Sequence, residues 1–570
     1  MNEPPRKRSR PSLGATVHPK SEVERPQGRA LVVKGRFVHG ISNRPGELEL
    51  VEKGTLIVGE DGRIILFARE GEGPHAAPPN ATEIRLRETD ICIPGMIDTH
   101  VHAPQYTFTG TATDLPLMQW LQKYTFPAER RMADADLAHR VYRALVKKLL
   151  VNGTTTAVYY ASIHLAATKV LVDVCRGLGQ RALVGKVAMD QNGADGYVET
   201  TTDSLRDTEA LIRYCHDCEP AATDEISRLV NPVVTPRFIP TCSDALLRGL
   251  GELAATYRSA GCWVQSHIAE SPDEMEFVEA LHPGRRDTEI FRAAGLLTDR
   301  CIMAHGVHLT PSELRVLSRS RTGIACCPLS NTFFAAGEFP LRFAQEQGLR
   351  VGLGTDVAGG YSPSLLVGGC RHAVYASKVL ARVQGGSRGG ECAGGSPRST
   401  SAQHAEQDEQ HPPTPRGEAP TASISPISIS PISSSSLTAA ATSRPAAASA
   451  EVDYKRAFWT ATLGGAAALG LDEHLGNFSP GKQFDAVVVQ REDGFGSQHG
   501  PYDTIEAGDC PLSQLASDFE RYINLGDDRN VKEVYVRGRL VVDNSSMLLG
   551  VRFADSPLSP RSPTCSEHSD

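Results

Sequence analysis

The chain has 570 residues, of which 40% are hydrophobic and 22% are charged, and its formal net charge is −8. This composition is typical of a soluble globular protein and excludes collagen-like and coiled-coil architectures. The chain has no run of the roughly 20 apolar residues that a membrane-spanning helix needs, and its negative charge disfavours broad nucleic-acid binding. We therefore expect neither a membrane nor a nucleic acid as partner.

Three segments have the composition of disordered chain. Residues 1–28 are polar and basic, residues 384–450 are rich in Ser, Pro and Gly, and residues 554–570 form a Ser/Pro tail. Their few large apolar side chains cannot offset the entropy cost of ordering the backbone. We predict that all three are disordered and that 384–450 is a tolerated surface insertion. KRSR near the N-terminus is either a nuclear localisation signal or, more simply, part of a solvated basic tail.

The two ends of the remaining chain have the pattern of short strands. Residues 29–94 and 481–553 contain runs with alternating apolar and polar residues, separated by turn signals such as EDG. Because this pattern occurs at both ends and not between them, we predict one small β-sandwich domain built from both chain ends.

The middle of the chain, 95–383 with 451–480, alternates strands and helices. Between most of the apolar, β-rich runs lie stretches with helical periodicity, such as ADLAHRVYRALVKKLLV. This order predicts an α/β fold of the (β/α)8 barrel type, with a doubly wound open sheet as the alternative. No GxGxxG follows a strand, so dinucleotide binding has no support. The eight runs are 91–102, 154–161, 181–189, 229–239, 262–270, 301–309, 323–331 and 350–358.

Chemically reactive side chains follow several of these strands at their carboxyl ends, where barrel enzymes assemble their active sites. His100 and His102 are two positions apart on a strand, so both imidazoles point to the same side. Three histidines and one aspartate suit a borderline divalent ion such as Zn²⁺, with Fe²⁺ as the alternative. We predict four ligands, with one position left for water: His100, His102, His267 and Asp356.

Longer stretches around these residues resemble a known family. PGMIDTHVHAPQY, SHIAE, MAHGVHL and GLGTDVAGG are similar to motifs of the amidohydrolase superfamily of metal-dependent hydrolases. DLPLMQWLQKYTFPAE, VVTPRFIPTCS and INLGDDRNVKEVYVRG are similar to the guanine deaminases within it. The resemblance covers roughly residues 30–382 and 452–545. It implies a distorted barrel with a small β-sandwich, one Zn²⁺ per subunit, a homodimer, and hydrolysis of guanine to xanthine and ammonia in purine catabolism.

The resemblance also implies a role for each site residue. Glu270 matches the proton shuttle, His305 the electrophile, and Asp356 a ligand that also accepts a proton from water. The positions that match substrate contacts are Gln105, Arg237, Phe238, His267, Glu270 and Asp356.

The residues alone leave alternatives open at three of these positions. Arg237 could form a structural ion pair, Phe238 could belong to the core, and Glu270 could cap the helix that SPDEM begins.

Two departures from the superfamily pattern bear on the site. The strand that ends in TPRF carries no Lys of the kind that bridges two metals in dinuclear members, and Lys186 on the preceding strand is a poor substitute. We therefore predict a single metal ion. Leu329 in CPLSN replaces the polar residue of the more usual CPNSN, which bears on the detail of the pocket.

Two other functions remain as alternatives. One is deamination of another nucleobase or an s-triazine, and the other is a non-catalytic scaffold with the same fold. The 13 cysteines and the lack of a signal peptide predict a reducing compartment, the cytosol.

Overall fold

The computed structural model describes residues 29–72, 76–194, 196–386, 451–490, 513–544 and 552–553. Its strands are β1 (Leu31–Gly40), β2 (Leu48–Val58), β3 (Ile64–Arg69), β4 (Thr82–Arg85), β5 (Asp90–Pro94), β6 (Met96–His102), β7 (Thr154–Tyr160), β8 (Arg181–Gly185), β9 (Val187–Ala188), β10 (Val230–Pro236), β11 (Trp263–Ile268), β12 (Cys301–His305), β13 (Gly323–Cys326), β14 (Arg350–Leu353), β15 (Ala486–Gln490), β16 (Val531–Val536), β17 (Arg539–Asp543) and β18 (Arg552–Phe553).

The helices lie mainly between the strands of the middle region. They are α1 (Leu117–Trp120), α2 (Phe126–Arg130), α3 (Ala135–Val151), α4 (Leu165–Leu178), α5 (Thr201–Cys218), α6 (Asp244–Tyr257), α7 (Pro272–Leu281), α8 (Asp287–Ala293), α9 (Pro311–Ser320), α10 (Pro328–Phe334), α11 (Leu341–Glu346), α12 (His372–Gly386), α13 (Tyr454–Trp459), α14 (Gly465–Ala468) and α15 (Gln514–Leu525).

Strands β6 to β14 form a nearly closed parallel barrel. Neighbours in the sheet run in the order β6, β7, β8, β10, β11, β12, β13, β14, with the short β9 beside β10. The first and last strands meet: Thr99 Oγ1 donates to the Leu353 carbonyl at 2.8 Å, and the Asp356 amide donates to the His100 carbonyl at 2.9 Å. The predicted barrel is confirmed, and the doubly wound alternative is wrong because the strands follow sequential order and the two edges close.

The long barrel helices form where the sequence supplies both a cap and an apolar stripe. Asp134 caps α3 by accepting from the amides of Asp136 and Leu137, and the helix buries Tyr142 and Leu145 against the barrel. Helix α4 ends at Gly179, whose φ of 76° is the left-handed conformation that favours glycine. These helices enclose the barrel and leave its carboxyl end for the site.

The chain ends build a second sheet, as predicted. Its order is β18, β17, β16, β15, β5, β1, β2, β3, with β4 pairing with β1. Most pairs are antiparallel, while β4 and β5 run parallel to β1. The sheet folds over a single apolar core, and its β3 edge curls back to the chain just before β15, where Arg63 bridges to Gln483 and the Phe484 amide donates to the Gly62 carbonyl at 2.8 Å.

One apolar run, 91–102, is shared between the two sheets. Its first half is β5 of the terminal sheet and its second half is β6 of the barrel, with Gly95 between them. A Cβ at Gly95 would lie 2.1 Å from Thr155 Oγ1, so only glycine fits at this crossing. The terminal sheet therefore fixes the chain directly before β6, the strand that carries His100 and His102.

The predictions of disorder at 1–28 and 554–570 lie outside the described residues, as does that at 384–450 apart from 384–386, which form the end of α12. No helix in the described part of the chain is long and apolar enough to cross a membrane.

Candidate active site

The predicted site residues converge at the carboxyl end of the barrel, around one cavity. Polar side chains from five different strand ends face apolar ones from α1, α10 and the connecting turns. The lining residues are His102, Gln105, Leu117, Trp120, Leu121, Arg237, Phe238, His267, Glu270, His305, Phe334 and Asp356.

Four side chains at the strand ends, three of which line the cavity, bring their metal-binding atoms close together. One nitrogen from each of His100, His102 and His267 lies within 4.8 Å of the others. The Nε2 atoms of His102 and His267 are 3.0 Å apart. Asp356 Oδ1 lies 3.3 Å from His100 Nε2 and 3.7 Å from His102 Nε2. Three imidazoles and one carboxylate at such spacing match the donor set of a mononuclear zinc site.

The protonation of these groups also fits a metal ion. Burial lowers the pKa of His100, His102 and His267 well below the usual value, so the imidazoles are neutral and offer lone pairs. The buried Nε2 of His100 has no hydrogen-bond partner among the described residues. A cation on these atoms would satisfy groups that are otherwise costly to bury.

A second group of candidate ligands overlaps the first. His100, His305 and Cys327 also bring their donor atoms within 4.8 Å of one another. Burial raises the pKa of the Cys327 thiol well above its usual value, which opposes the thiolate form that binds metals. The histidine and aspartate group is therefore the better site.

Buried hydrogen bonds fix the orientation of the ligands. The Arg237 carbonyl accepts from His267 Nδ1 at 2.6 Å, which leaves Nε2 of that ring free to face the other donors. Asp98 accepts from the His100 amide at 3.3 Å and from the Thr355 amide and hydroxyl at 3.0 and 2.7 Å. Asp98 thereby ties β6 to the turn that carries Asp356.

Tyr160, at the end of β7, packs against the ligands. Its ring centroid lies 4.8, 4.6 and 4.8 Å from those of His100, His102 and His267. The sequence predictions missed this residue, because one aromatic in the run TTTAVYYA gives no signal of which strand face it occupies.

Glu270 and His305 face one another beside this cluster. Glu270 Oε1 lies 3.5 Å from His305 Nε2, and His305 Nδ1 lies 3.1 Å from Asn331 Oδ1. Burial and then the charge of Asp356 raise the pKa of Glu270 well above its usual value. Glu270 can therefore hold a proton near neutral pH and release it, as a general acid–base group must.

The turns that present these groups have unusual backbone conformations. His305 and Asp356 have φ of 70° and 55°, and Ala269, next to Glu270, has φ of 46°. Left-handed non-glycine residues are strained and cluster at functional sites. Glu270 does not cap α7, because Ser271 is the N-cap and Glu274 completes the capping box.

Three more of the predicted substrate residues also line the cavity: Arg237, Phe238 and Gln105. Arg237 combines the two roles left open, since it lines the cavity and also forms a two-pronged ion pair with Glu129, at 2.6 and 3.0 Å. Phe238 is buried and lies 6.4 Å, centroid to centroid, from His267. Gln105, on the short 3₁₀ turn after β6, is also buried and donates to Glu129 at 3.3 Å.

Two other predicted features lie outside the cavity lining. Lys186 forms an ion pair with Glu199 at 2.6 Å and does not line the cavity. Leu329, on α10, is buried without lining the cavity. The sequence predictions missed Glu129 as a site residue, although the stretch TFPAE that contains it belongs to the resemblance.

Comparison with known proteins fits this geometry. The amidohydrolase family model matches residues 91–391 and 429–541, more than half of the chain. The rat guanine deaminase is 35% identical over 532 residues, which cover 91% of this chain and 98% of the rat protein. The chain belongs to the amidohydrolase family, among its guanine deaminases.

Bacterial relatives of this amidohydrolase are similar over comparable lengths. The guanine deaminase of Escherichia coli is 29% identical, covering 87% of this chain and 93% of its own. The crystal structure of the guanine deaminase from C. acetobutylicum, with guanine bound in its active site, superposes with a TM-score of 0.69 at 28% identity. The superposition covers 90% of the present chain and 100% of the C. acetobutylicum protein.

Proposed function

We propose that this protein hydrolyses guanine to xanthine and ammonia, as a step in purine catabolism. The observation that carries the proposal is the convergence of the neutral histidines and Asp356 with Glu270 and His305 in one buried cavity. Membership of the guanine deaminases supports guanine over another nucleobase or an s-triazine. A non-catalytic scaffold would have no need of these buried, strained and costly groups.

The donor set fits one divalent ion, which we propose is Zn²⁺. His100, His102, His267 and Asp356 would hold it, and when bound it supplies Lewis-acid activation of water near neutral pH. Asp356 accepts the proton of the attacking water at a carboxylate oxygen. Burial raises the pKa of Asp356, which makes this carboxylate a stronger base than an exposed one.

The other residues act on the base. Glu270 donates a proton to the ring nitrogen next to C2 as water attacks that carbon, and it regains a proton from Asp356, which took it from the water. Glu270 then protonates the departing amine, which leaves as ammonia, and it takes up the proton of the C2 hydroxyl as that group becomes a carbonyl. His305, whose Nδ1 donates to Asn331 Oδ1, presents an unprotonated Nε2 that accepts a hydrogen bond from the oxygen added to C2 and orients it. Arg237 donates to the O6 carbonyl, Gln105 bonds the adjacent edge, and Phe238 packs on the base.

A direct assay tests this function. Purified protein loaded with Zn²⁺ should convert guanine to xanthine with release of one ammonia, measured by absorbance and chromatography, and metal analysis should give one ion per subunit. A panel of adenine, cytosine and an s-triazine is the control. Rapid turnover of one of these with no turnover of guanine would contradict the proposal.

We also propose that the protein is a cytosolic homodimer. Tyr375 and Val379 lie four residues apart on α12 and are 62% and 58% exposed, which is an apolar stripe of the kind that protein interfaces cover. All ten cysteines within the described residues are free thiols, which suits a reducing compartment. Sedimentation equilibrium tests the dimer, and a monomer at micromolar concentration would contradict it.

A further inference from the structure

A buried glutamate links the residues on one wall of the cavity. Glu129, on α2, is completely buried. Its Oε2 accepts from Arg237 Nη1 at 2.6 Å and from the Tyr197 hydroxyl at 3.1 Å. Its Oε1 accepts from Arg237 Nη2 at 3.0 Å and from Gln105 Nε2 at 3.3 Å. Each carboxylate oxygen of Glu129 therefore already accepts two hydrogen bonds, which leaves neither oxygen free to bind a ligand. Glu129 can act on a ligand only through the side chains that it binds.

Glu129 fixes which end of the Gln105 amide is available. A carboxylate paired with arginine only accepts hydrogen bonds, so the NH₂ group of Gln105 must face it. The other end, Oε1, is buried and has no hydrogen-bond partner among the described residues, and Gln105 lines the cavity. Gln105 therefore offers a ligand an acceptor.

Glu129 also fixes what Arg237 offers. The guanidinium is held by two bonds to Glu129 and lies 4.9 Å above the centre of the Phe126 ring. It lines the same cavity, and guanidinium has five N–H donors and no acceptor. The wall thus presents a fixed donor from Arg237 beside a fixed acceptor from Gln105.

We propose that Glu129 is the positioning residue that makes this site select 6-oxopurines over 6-aminopurines. A 6-oxopurine carries an acceptor, O6, next to a donor, N1–H, which complements the wall. A 6-aminopurine carries the reverse order, a donor amine next to the acceptor N1, and would leave buried polar groups unpaired. This inference rests on the proposed function and deepens it.

The test compares guanine with 2,6-diaminopurine, which carries the same reactive 2-amino group on the reversed edge. Chromatography measures only loss of the C2 amine, to xanthine or to 2-oxo-6-aminopurine. For the wild type we expect kcat/KM to favour guanine by roughly 10⁴–10⁵-fold, as for other sites built around hydrogen bonds. Glu129→Gln should reduce this preference by about 10-fold or more, because glutamine both donates and accepts and lets the Gln105 amide turn over. The loss should lie mainly in KM for guanine, with metal content unchanged.

Two matched variants separate positioning from a general loss of packing. Glu129→Asp keeps a group that only accepts, so the preference for guanine should persist with a raised KM. Tyr197→Phe removes one donor to Glu129 from outside the cavity lining and should leave the preference within about 2-fold of the wild type, since Arg237 and Gln105 keep their bonds.

An unchanged preference in Glu129→Gln would overturn the inference, and so would equal losses on both substrates together with loss of metal. If Glu129→Gln does not fold, Gln105→Met decides: the inference requires the preference for guanine to fall, and an unchanged preference refutes it. A wild type that does not hydrolyse guanine refutes the proposed function instead.

Discussion

Burial gives the site residues their chemistry at the scale of single side chains. The same loss of hydration that keeps His100, His102 and His267 neutral also holds a proton on Glu270. The bases suited to a metal ion and the acid suited to proton transfer therefore come from one low-dielectric cavity. In water near neutral pH, the histidines would instead be partly protonated and the glutamate would be ionised.

Glu270→Gln tests the proton-transfer role. Glutamine has nearly the same shape but cannot carry the proton, so kcat for guanine should fall by about 10²–10⁴-fold. Zinc content, measured by atomic emission, should stay at the wild-type level, because Glu270 is not among the proposed ligands. Thermal unfolding serves as the control for folding. A variant that loses its metal would show instead that Glu270 maintains the site structurally.

The sequence predicted the donors better than their supports. His100 and His102 share a strand face by simple periodicity, and His267 and Asp356 end later strands, so barrel topology alone brings them together. Tyr160 and Glu129 gave no such signal, because their roles depend on packing between elements that are far apart in the chain. The ion pair of Arg237 was an open alternative for the same reason.

The turn between β11 and α7 shows how one element places a catalytic group. Ser271 and Glu274 form the capping box of α7, and Glu274 Oε2 also accepts from the Glu270 amide at 2.6 Å. Asp287, at the start of α8, accepts from the Ala269 amide at 2.9 Å. Two acidic side chains thus hold the backbone on both sides of Glu270.

These two acids are unusual because they are buried close together. Burial and then the charge of Asp287 raise the pKa of Glu274 well above its usual value, and burial raises the pKa of Asp287 to about 6. In the unfolded chain such groups ionise near pH 4. As the pH rises above that value, the unfolded state loses its proton first, so the free energy of unfolding falls until the folded groups also ionise.

Glu274→Gln should remove its part of this pH dependence and keep the bond from the Glu270 amide. Near pH 4.5 the variant and the wild type should unfold at similar temperatures. By pH 8 the variant should be more stable than the wild type. Its unfolding temperature should be higher by about 2–4 °C for each kcal/mol of charge-burial cost that the substitution removes, or somewhat less for a chain of this size. Calorimetry across pH 4.5–8 measures the difference.

The matched control is Glu276→Gln, which makes the same change at an exposed position of α7. Its difference in unfolding temperature from the wild type should stay constant with pH. A pH-independent difference for Glu274→Gln as well would show that Glu274 is not destabilised by its burial.

At the scale of elements, periodicity predicted the strand runs correctly but not their division. The run 91–102 is continuous in hydrophobicity, yet it divides at Gly95 between two sheets. The sequence pattern shows that both halves of this run are buried. Their division at Gly95 follows from the approach of Thr155, a contact between residues that are far apart in the sequence. The contact of the β3 edge, at Arg63, with the chain before β15, at Gln483, was likewise beyond any local pattern.

Across the whole molecule, buried ion pairs join the barrel to the terminal sheet and one chain end to the other. Arg181, on β8, donates to Asp485 at 3.0 Å, just before β15. Arg36, on β1, donates to Asp518 on α15 at 2.9 Å. Breaking one partner of such a buried pair typically costs about 3–5 kcal/mol. The two chain ends therefore stabilise the barrel rather than form an independent accessory, which accounts for their shared strand run beside His100 and His102.

The borders of the insertion provide the last test at this scale. The family model matches up to residue 391 and from 429 onward, so it skips 392–428. Directly after the insertion, the Val452 amide donates to Ser377 Oγ on α12 at 2.9 Å, and Glu451 pairs with Lys378 at 3.1 Å. The chain thus returns to the same helix that it left.

Deleting residues 391–447 should therefore leave the enzyme intact. From Ser377 to Gly386 the helix rises about 14 Å. The remaining residues, 387–390 and 448–450, can span up to about 23 Å, enough to return to Glu451 without strain. A shorter loop has a slightly lower closure entropy cost, so the unfolding temperature should be equal or a little higher. We expect kcat/KM for guanine within about 2-fold of the full chain, because the contacts that fix Val452 and Glu451 remain. A loss of activity with an unchanged unfolding temperature would instead assign the insertion a direct part in turnover.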